Sequence, residues 1–439
     1  MAAHLDATQS SFRDSPISVR NHVVILTLLL TTFLLRFIFG VYLTPPMLSD
    51  ARAYDRIAQN LIAGNGFSES RSMPYVFTTI RDKLYPVTLA GIYYIFGTSH
   101  IVVFAFQALL STITGFLIYR LARNLFGMRI GLLSVTLFMI YLPSIAYAGM
   151  LLTETMYVFL IVLGTWLLFE GDRKRNLTFV LAGMVFGLAT LTRTEGVMYA
   201  ALLVAFMIWR SKDRGTLAKH AVLLFCVLGL ILLPVVYWNY TSTGRIMLRD
   251  PAVFLTVLRL ATGQHDFSDP LYGAIAFNPG GPMESERTDI ERQIIDDYFR
   301  EIVKDPIGFL WFRGYQLLRL WTYGSDGLPV TNMSIFDLLK KGDYAQFAMR
   351  MTVFLTFGPL MLILIAIGVA TGISKVPDSA ILVIFPLYST VFGIFFYTVF
   401  RYSLPGQVLL IPMMAFGIDW LWKKFFTKPR KRMSASSRT

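Results

Sequence analysis

The chain has 439 residues, with 40 Lys and Arg against 27 Asp and Glu, a formal net charge of +13. Hydrophobic residues make up 55% and charged residues only 15%, and the mean hydropathy is +0.57. Soluble globular chains carry about 25% charged residues, so this composition excludes an ordinary soluble protein and makes the lipid bilayer the first partner. The positive balance does not indicate a nucleic-acid partner, because Lys and Arg sit in short clusters between apolar blocks, where membrane proteins place their cytoplasmic charges. The single cysteine, Cys226, lies in an apolar run, which rules out an intrachain disulfide and a cysteine metal cluster and leaves the compartment open.

These features predict an all-α polytopic membrane protein of about ten transmembrane helices, with interfacial helices in two long outer loops. The first 20 residues are polar and carry Arg13 and Arg20, and an apolar stretch from Val23 to Leu43 follows. That stretch exceeds the roughly 7 to 15 apolar residues of a signal-peptide core and no small-x-small cleavage site follows, so it reads as a retained signal anchor with the N-terminus inside. Basic clusters recur at Arg120, Arg123 and Arg129, at Arg173, Lys174 and Arg175, at Arg210, Lys212, Arg214 and Lys219, and in the tail from Lys423 to Arg432. With each cluster cytoplasmic, spans fall near 21–43, 100–121, 130–148, 152–169, 177–192, 196–210, 220–238, 350–373, 379–399 and 404–422. The apolar piece from Leu84 to Phe96 is short for a crossing, and counting it would put the Arg120 to Arg129 cluster outside, so it stays on the outer face. The chain thus divides into a cytoplasmic tail (1–20), a transmembrane module (21–238) that includes the first outer loop (44–99), a second outer loop (239–349), C-terminal spans (350–422) and a basic cytoplasmic tail (423–439).

In the first outer loop, Tyr54, Ile57, Ala58, Leu61 and Ile62 recur at helical spacing opposite Arg52, Asp55, Arg56, Gln59 and Asn60, with Gly64 as a stop. This predicts an amphipathic helix lying on the membrane. In the second, Ile290, Ile294, Tyr298 and Ile302 form another stripe, and Phe309, Trp311, Phe312, Trp321 and Tyr323 supply aromatics suited to the headgroup region. The stretch from Gly263 to Pro282 is rich in Gly, Pro, Asp and Asn and reads as irregular chain able to act as a lid.

The outer ends of the spans hold an unusual set of charges: Asp50, Asp55, Arg81, Asp82, Lys83, Glu154, Arg193, Glu195 and Arg401. Ionisable groups at membrane depth are costly and mark functional sites. Each also has a plainer role available. Asp50 is placed to cap the following helix, Asp55 to be a solvated charge on its polar face, and Glu154 to be tolerated at a helix start. Arg193 can snorkel with Glu195 as its partner, Arg401 can do the same, and Arg36, late in the first span, is expected to snorkel to the outer surface. Several basic residues on the same face as two carboxylates form a stronger pattern, since Arg clamps phosphate while a carboxylate takes a proton or holds a divalent cation. The implied substrate is an anionic, membrane-bound phosphate.

The segments LSDARAYDRIAQNLIAGNGF, RDKLYPVTLAGIYYIFG, RLARNLFGMRIGLLS, LLTETMYVFL, LATLTRTEG and FRYSLP, in this order and spacing, resemble the GT-C superfamily of integral-membrane glycosyltransferases. The branch they resemble is the bacterial relatives of protein O-mannosyltransferases and of the aminoarabinose lipid A transferase. The resemblance implies an inverting transfer of a sugar, hexosyl or pentosyl, from a polyprenyl-phosphate carrier to a lipid, glycan or protein acceptor, at the periplasmic face of a bacterial inner membrane. It implies that Asp50 is the catalytic base and that Glu154, with Asp55, positions the acceptor or a metal. In some members the acid matched by Glu154 helps bind a metal, which makes a divalent cation held by Asp50 and Glu154 the one cofactor to consider. Arg81, Lys83, Arg193 and Arg401 are the candidates for the carrier phosphate. This chain departs from the family's pattern in having Asp82 and Lys83 where two prolines precede the Leu-Tyr-Pro run, and Ala51 where a second acid follows the first.

A carboxylate base and pre-aimed cations suit such a transfer, because positive charge develops at the anomeric carbon while the departing phosphate gains negative charge. The rival reading is a transporter or flippase of lipid-linked sugar, which also uses intramembrane charges. Against it, the charges gather at one face and no matching half-repeats are evident. The topology has a direct test: cysteines introduced at Ser70 and Ser285 should react with an impermeant thiol reagent in intact cells, and one at Ser436 should not. Labelling at Ser436 alone would reverse the assignment.

Overall fold

The computed structural model describes residues 18–43, 47, 49–171, 176–263, 284–322, 340, 342, 344–396 and 399–426, and its regular structure is helical, with one isolated bridge between Ser68 and Phe77. The N-terminal tail with Arg13, the cluster at Arg173 to Arg175, the expected lid beyond Gly263, Tyr323 and the tail beyond Phe426 lie outside the described residues. In chain order the helices begin with α1 (Val19–Tyr42), α2 (Ser49–Ile62), α3 (Leu84–Phe96), α4 (His100–Phe126), α5 (Met128–Met139) and α6 (Leu142–Ala148). There follow α7 (Glu154–Glu170), α8 (Asn176–Thr192), α9 (Gly196–Arg210), α10 (Arg214–Thr243), α11 (Pro251–Leu260) and α12 (Glu284–Lys304). The last are α13 (Pro306–Trp321), α14 (Tyr344–Leu355), α15 (Met361–Lys375), α16 (Ile384–Phe395) and α17 (Leu404–Phe426).

Every expected span coincides with a helix or a bent pair. By length and composition, six of the described helical stretches can cross a bilayer, or seven when α5 and α6, bent by 52°, count as one. The expected ten is therefore not reached on length. Helices α7, α8 and α9 have 17, 17 and 15 residues, which at about 1.5 Å per residue leaves them short of the roughly 30 Å hydrocarbon core. One face of each is packed inside the bundle: Ile161, Phe186, Tyr199 and Leu203 are fully buried in a hydrophobic cluster that runs from Ala51 to Met414. Helices cross closely where side chains are small. Gly183 and Gly187 of α8 face Leu224 and Ile231 of α10, and a Cβ on Gly183 would stand 2.5 Å from the Leu224 carbonyl oxygen. Gly368 of α15 meets Met413 and Gly417 of α17 in the same way.

The two ends of the bundle differ in charge. At one end Arg120 pairs with Glu170 at 2.6 Å, Arg129 and Lys423 pair with Asp419 at 3.0 and 2.6 Å, and Arg210 reaches Asp378 at 3.3 Å. These are the basic clusters assigned to one side from the sequence. The chain alternates between ends from α7 onward, so Glu154, Arg193 and Arg401 fall at the opposite end, with both long loops.

The outer-loop helices form where the periodicity placed them, with one correction. Helix α2 buries Tyr54, Ile57 and Ala58 against α3, but its polar face is only partly solvated: Arg52 and Gln59 are exposed, while Asp55 and Asn60 are buried. Asn60 donates to the carbonyls of Ser68 and Ser70, and Asp55 accepts from Tyr93. In α12, Ile294 and Tyr298 pack towards α11, a helix the sequence reading did not anticipate, while Trp311 of α13 is left 82% exposed.

The loops are also tied to each other. Asp82 pairs with Arg249 at 3.2 Å, Arg249 donates to the Ile80 carbonyl, and Thr79 donates to Asp250. Burial pushes the Asp82 carboxyl up to about 6 against the pull of Arg249. Beside it, Lys83 is buried over the rings of Phe67 and Phe77, at 4.1 and 5.0 Å, and donates to the Thr78 carbonyl.

Arg36 corrects a second expectation. It does not snorkel: it is fully buried and donates to the carbonyls of Phe138 and Met139 and to Ser111. Pro143 has no N–H to return to the Met139 carbonyl four residues earlier, so the α5–α6 bend frees an acceptor that Arg36 satisfies. Arg36→Met should therefore lower stability by about 1 to 3 kcal/mol, the cost of stranding the Met139 carbonyl, since the Phe138 carbonyl keeps the Tyr141 N–H, whereas Leu30→Met on the exposed face of α1 should be neutral. Thermal unfolding in detergent would show it, and an unchanged midpoint for Arg36→Met would contradict the capping role.

The Asp82 tie carries its own pH signature. A raised carboxyl contributes stability that is present below the ordinary carboxylate value and is lost as pH rises through the folded value. Without Arg249 that value rises further, so Arg249→Ala should lose more thermal stability relative to the native chain at pH 8 than at pH 5. An equal loss at both would place the Arg249 effect elsewhere.

Candidate active site

At the end of the bundle opposite the basic clusters the charges form one continuous chain. Asp50, in the first turn of α2, spends both carboxylate oxygens on arginines: Oδ1 accepts from Arg81 Nη1 at 2.6 Å and Oδ2 from Arg401 Nη1 at 2.8 Å. Those oxygens bond to arginines and not to a backbone N–H, so the capping role offered for Asp50 is not what holds it. Arg81 turns its Nε to Glu69 at 2.9 Å. Arg401 turns its Nε to Glu154, at 3.8 Å. Glu154 also meets Arg193 Nη1 at 3.3 Å, and Arg193 Nη2 meets Glu195 at 3.5 Å.

Three arginines and four acids thus alternate from Glu69 to Glu195. Aromatic rings floor the chain, with Arg193 4.6 Å from the Tyr402 ring and 5.7 Å from that of Tyr157, and Arg81 5.8 Å from that of Tyr54.

The elements explain the placement. Glu154 opens α7 and is 2% exposed, so its charge is tolerated only because the helix N-terminus and two arginines face it. Arg193 and Glu195 sit in the tight link between α8 and α9, where Gly196 has no room for a Cβ against Ala189 and Thr190. Arg401 lies in the short 3-10 turn Phe400–Tyr402 between α16 and α17. Burial opposes ionisation of Asp50, but the Arg401 and Arg81 guanidiniums outweigh it and hold the carboxyl well below the usual carboxylate range.

Of the residues singled out from sequence, Asp50, Arg81, Glu154, Arg193, Glu195 and Arg401 come together here. Asp55 and Lys83 do not. Asp55 is bonded to Tyr93 at 2.6 Å, Gln59 at 2.8 Å and His100 at 3.2 Å, fastening α2 to α3 and to the start of α4. Lys83 has turned into the aromatic pocket behind the loop. Glu69 and Arg249 were missed, because an acid in a Ser-rich turn and an arginine after a span carry no periodic signal.

A divalent cation does not fit this donor set. Arg401 stands between the two proposed carboxylate ligands, and both Asp50 oxygens are already engaged. Among the described residues, no group of three or more His, Cys, Asp or Glu side chains gathers at one point.

A family model described as dolichyl-phosphate-mannose-protein mannosyltransferase matches residues 84–238, about a third of the chain. A search of curated proteins finds no match. The fold resembles that of the oligosaccharyltransferase of Archaeoglobus fulgidus. Its structure tethered with an acceptor peptide containing the NVT sequon superposes with a TM-score of 0.55 at 17% identity, covering 92% of this chain and 50% of that one. The structure of the same enzyme, AglB, with an inhibitory peptide and a dolichol-phosphate gives 0.54 at 17% identity, covering 92% and 51%. A third, with Zn and sulfate, gives 0.53 at 16% identity, covering 91% and 49%. The chain spans about half the length of the protein it superposes on. A bundle of apolar helices with its buried charges gathered at one end, a matched mannosyltransferase segment and this superposition agree: the chain has the GT-C fold of integral-membrane glycosyltransferases.

Proposed function

We propose that the protein transfers a single sugar, with inversion, from a polyprenyl-phosphate carrier to a hydroxyl-bearing acceptor, at the periplasmic face of a bacterial inner membrane. The observation that carries this reading is the alternating chain of Asp50, Arg81, Arg401, Glu154 and Arg193 at one end of an apolar bundle. Asp50 takes the proton of the acceptor hydroxyl. The acceptor oxygen then attacks the anomeric carbon as the carbon–oxygen bond to phosphate breaks, and the electron pair leaves on polyprenyl phosphate. Arg81 and Arg401 face that phosphate as its negative charge grows, and Glu154, held by Arg193, keeps Arg401 aimed. The reading needs no metal ion, since guanidiniums supply the positive charge.

Donor and base are coupled in this scheme. With both oxygens engaged by arginines, Asp50 is a weak base. The donor's phosphate, a diester with one negative charge, competes for the same guanidiniums and frees a carboxylate oxygen as it binds, so the base becomes available when the donor is in place.

Asp50→Asn separates chemistry from architecture. Arg81 keeps Glu69 and Arg401 keeps Glu154 in this variant, so folding and donor binding should persist while turnover falls by about 10² to 10⁴. Asp55→Asn should lower the melting temperature, by weakening the bonds to Tyr93 and His100, and retain most turnover. The assay is release of polyprenyl phosphate from a panel of polyprenyl-phosphate sugars by purified protein. Full turnover in Asp50→Asn with loss in Asp55→Asn would move the base to Asp55, and full turnover in both would favour movement of the lipid without chemistry.

A further inference from the structure

Arg81 differs from the other two arginines of the ion-pair chain in how its backbone is held. Arg193 stands in the tight link between α8 and α9, and Arg401 in a 3-10 turn. Arg81 stands in the irregular stretch between α2 and α3, whose one regular feature is the isolated bridge from Ser68 to Phe77. A guanidinium on a long side chain is aimed reproducibly only when its backbone is fixed, so here something outside the stretch has to fix it.

The second long loop does so. Arg249 and Asp250, between α10 and α11, grip residues 79–82 on both sides of Arg81. The Asp250 N–H donates to the Thr79 carbonyl at 3.1 Å, and Asp250 Oδ2 accepts from the Thr79 hydroxyl at 3.1 Å. Arg249 donates from Nε to the Ile80 carbonyl at 2.8 Å and pairs through Nη1 with Asp82 at 3.2 Å. Thr79, Asp82 and Asp250 are buried, so water competes poorly for these bonds. The grip is itself braced by α10. Asn239, fully buried in the last turns of that helix, donates through Nδ2 to the carbonyls of Met247 and Leu248, both at 2.9 Å. Trp238 beside it packs at 5.6 and 5.3 Å on the rings of Phe67 and Phe77, over which Lys83 lies. Of the four residues gripped, Arg81 alone turns its side chain the other way, to Asp50 and Glu69.

We propose that Arg249 and Asp250 are positioning residues for the carrier phosphate: they fix the backbone on both sides of Arg81 and so aim its guanidinium. The second long loop is then a working part of a site whose charges all lie outside that loop. The inference rests on the reading of Arg81 as a phosphate-facing residue. Arg249 acts through Arg81 and does not touch the phosphate, so its effect on binding has to vanish when Arg81 is gone.

The test is a double-mutant cycle on full-length protein in nanodiscs, with affinity for bare citronellyl phosphate as the readout. Arg81→Ala should weaken binding by about tenfold or more, the loss of a charge-assisted contact. Arg249→Ala should weaken it by about three- to tenfold in the native background and by less than about twofold in the Arg81→Ala background. Thr79→Val removes one bond of the grip with no change of charge. It should cost about threefold, again only when Arg81 is present, and it carries the test alone if Arg249→Ala does not fold. A lower melting temperature with unchanged affinity in both Arg249→Ala and Thr79→Val would make the grip purely structural and overturn the inference. An equal loss for Arg249→Ala with and without Arg81 overturns it too, since Arg249 would then act on the anion itself. Either result leaves Arg81 at the phosphate. Unchanged affinity in Arg81→Ala overturns the phosphate position, and the positioning role with it.

Discussion

A charge carried into the end of an apolar bundle has to be met by an opposite charge, and in this protein one such meeting organises the rest. Asp50 and Arg401 lie 351 positions apart and stand 2.8 Å from each other. Their pairing brings the helix after the first span against the turn before the last one. Arg81, Glu154 and Arg193 extend the pairing in both directions, so each buried charge has a neighbour of opposite sign. Breaking one partner out of such a chain costs several kcal/mol, because the remaining charge stays in a low-dielectric setting. The elements that contribute to it, α2, α7, the α8–α9 link and the turn before α17, are thereby held to a common point.

The same chain poses a chemical problem. Carboxylates tied to two guanidiniums are ionised but poorly basic, and guanidiniums tied to carboxylates are not free for phosphate. The pairing is useful only if another anion can replace one partner, and the donor's phosphodiester, which gains a second negative charge as the sugar leaves, is such an anion. In the proposed scheme the network is at once the scaffold of the empty protein and the receptor of the donor, and no metal is needed to balance its charges.

Backbone groups released by helix breaks are handled by a related device. Arg36 satisfies the carbonyls freed at the α5–α6 bend, and Arg313 of α13 donates to the carbonyls of Ala261, Gly393 and Phe396, where α11 and α16 end. In a bilayer no water reaches such carbonyls, so a long side chain with several donors is the available remedy. These arginines look the same in sequence as Arg81 or Arg401. What separates them is the acceptor each one finds, a peptide carbonyl or a carboxylate.

The sequence by itself determined the class and the helices, and it sorted the charges to opposite ends of the bundle. Apolar runs and basic clusters are local signals, and a span must satisfy its own backbone wherever it sits, so the expected spans coincide with helices even though α7 to α9 are shorter than a full crossing. The charged motifs also marked six members of the ion-pair chain, because an ionisable residue near an apolar span is rare enough to stand out. Which charges meet was decided only in three dimensions. Asp50 and Asp55 share a helix and Arg81 and Lys83 share a turn, yet one of each pair joins the chain while the other fastens α2 or fills an aromatic pocket. Neighbours five or two positions apart on a helix or turn point in different directions, and what lies in each direction is set by other elements, from a few residues away for Lys83 to 351 positions away for Asp50. That is also why Glu69 and Arg249 carried no signal in the chain: their roles are properties of the space between helices.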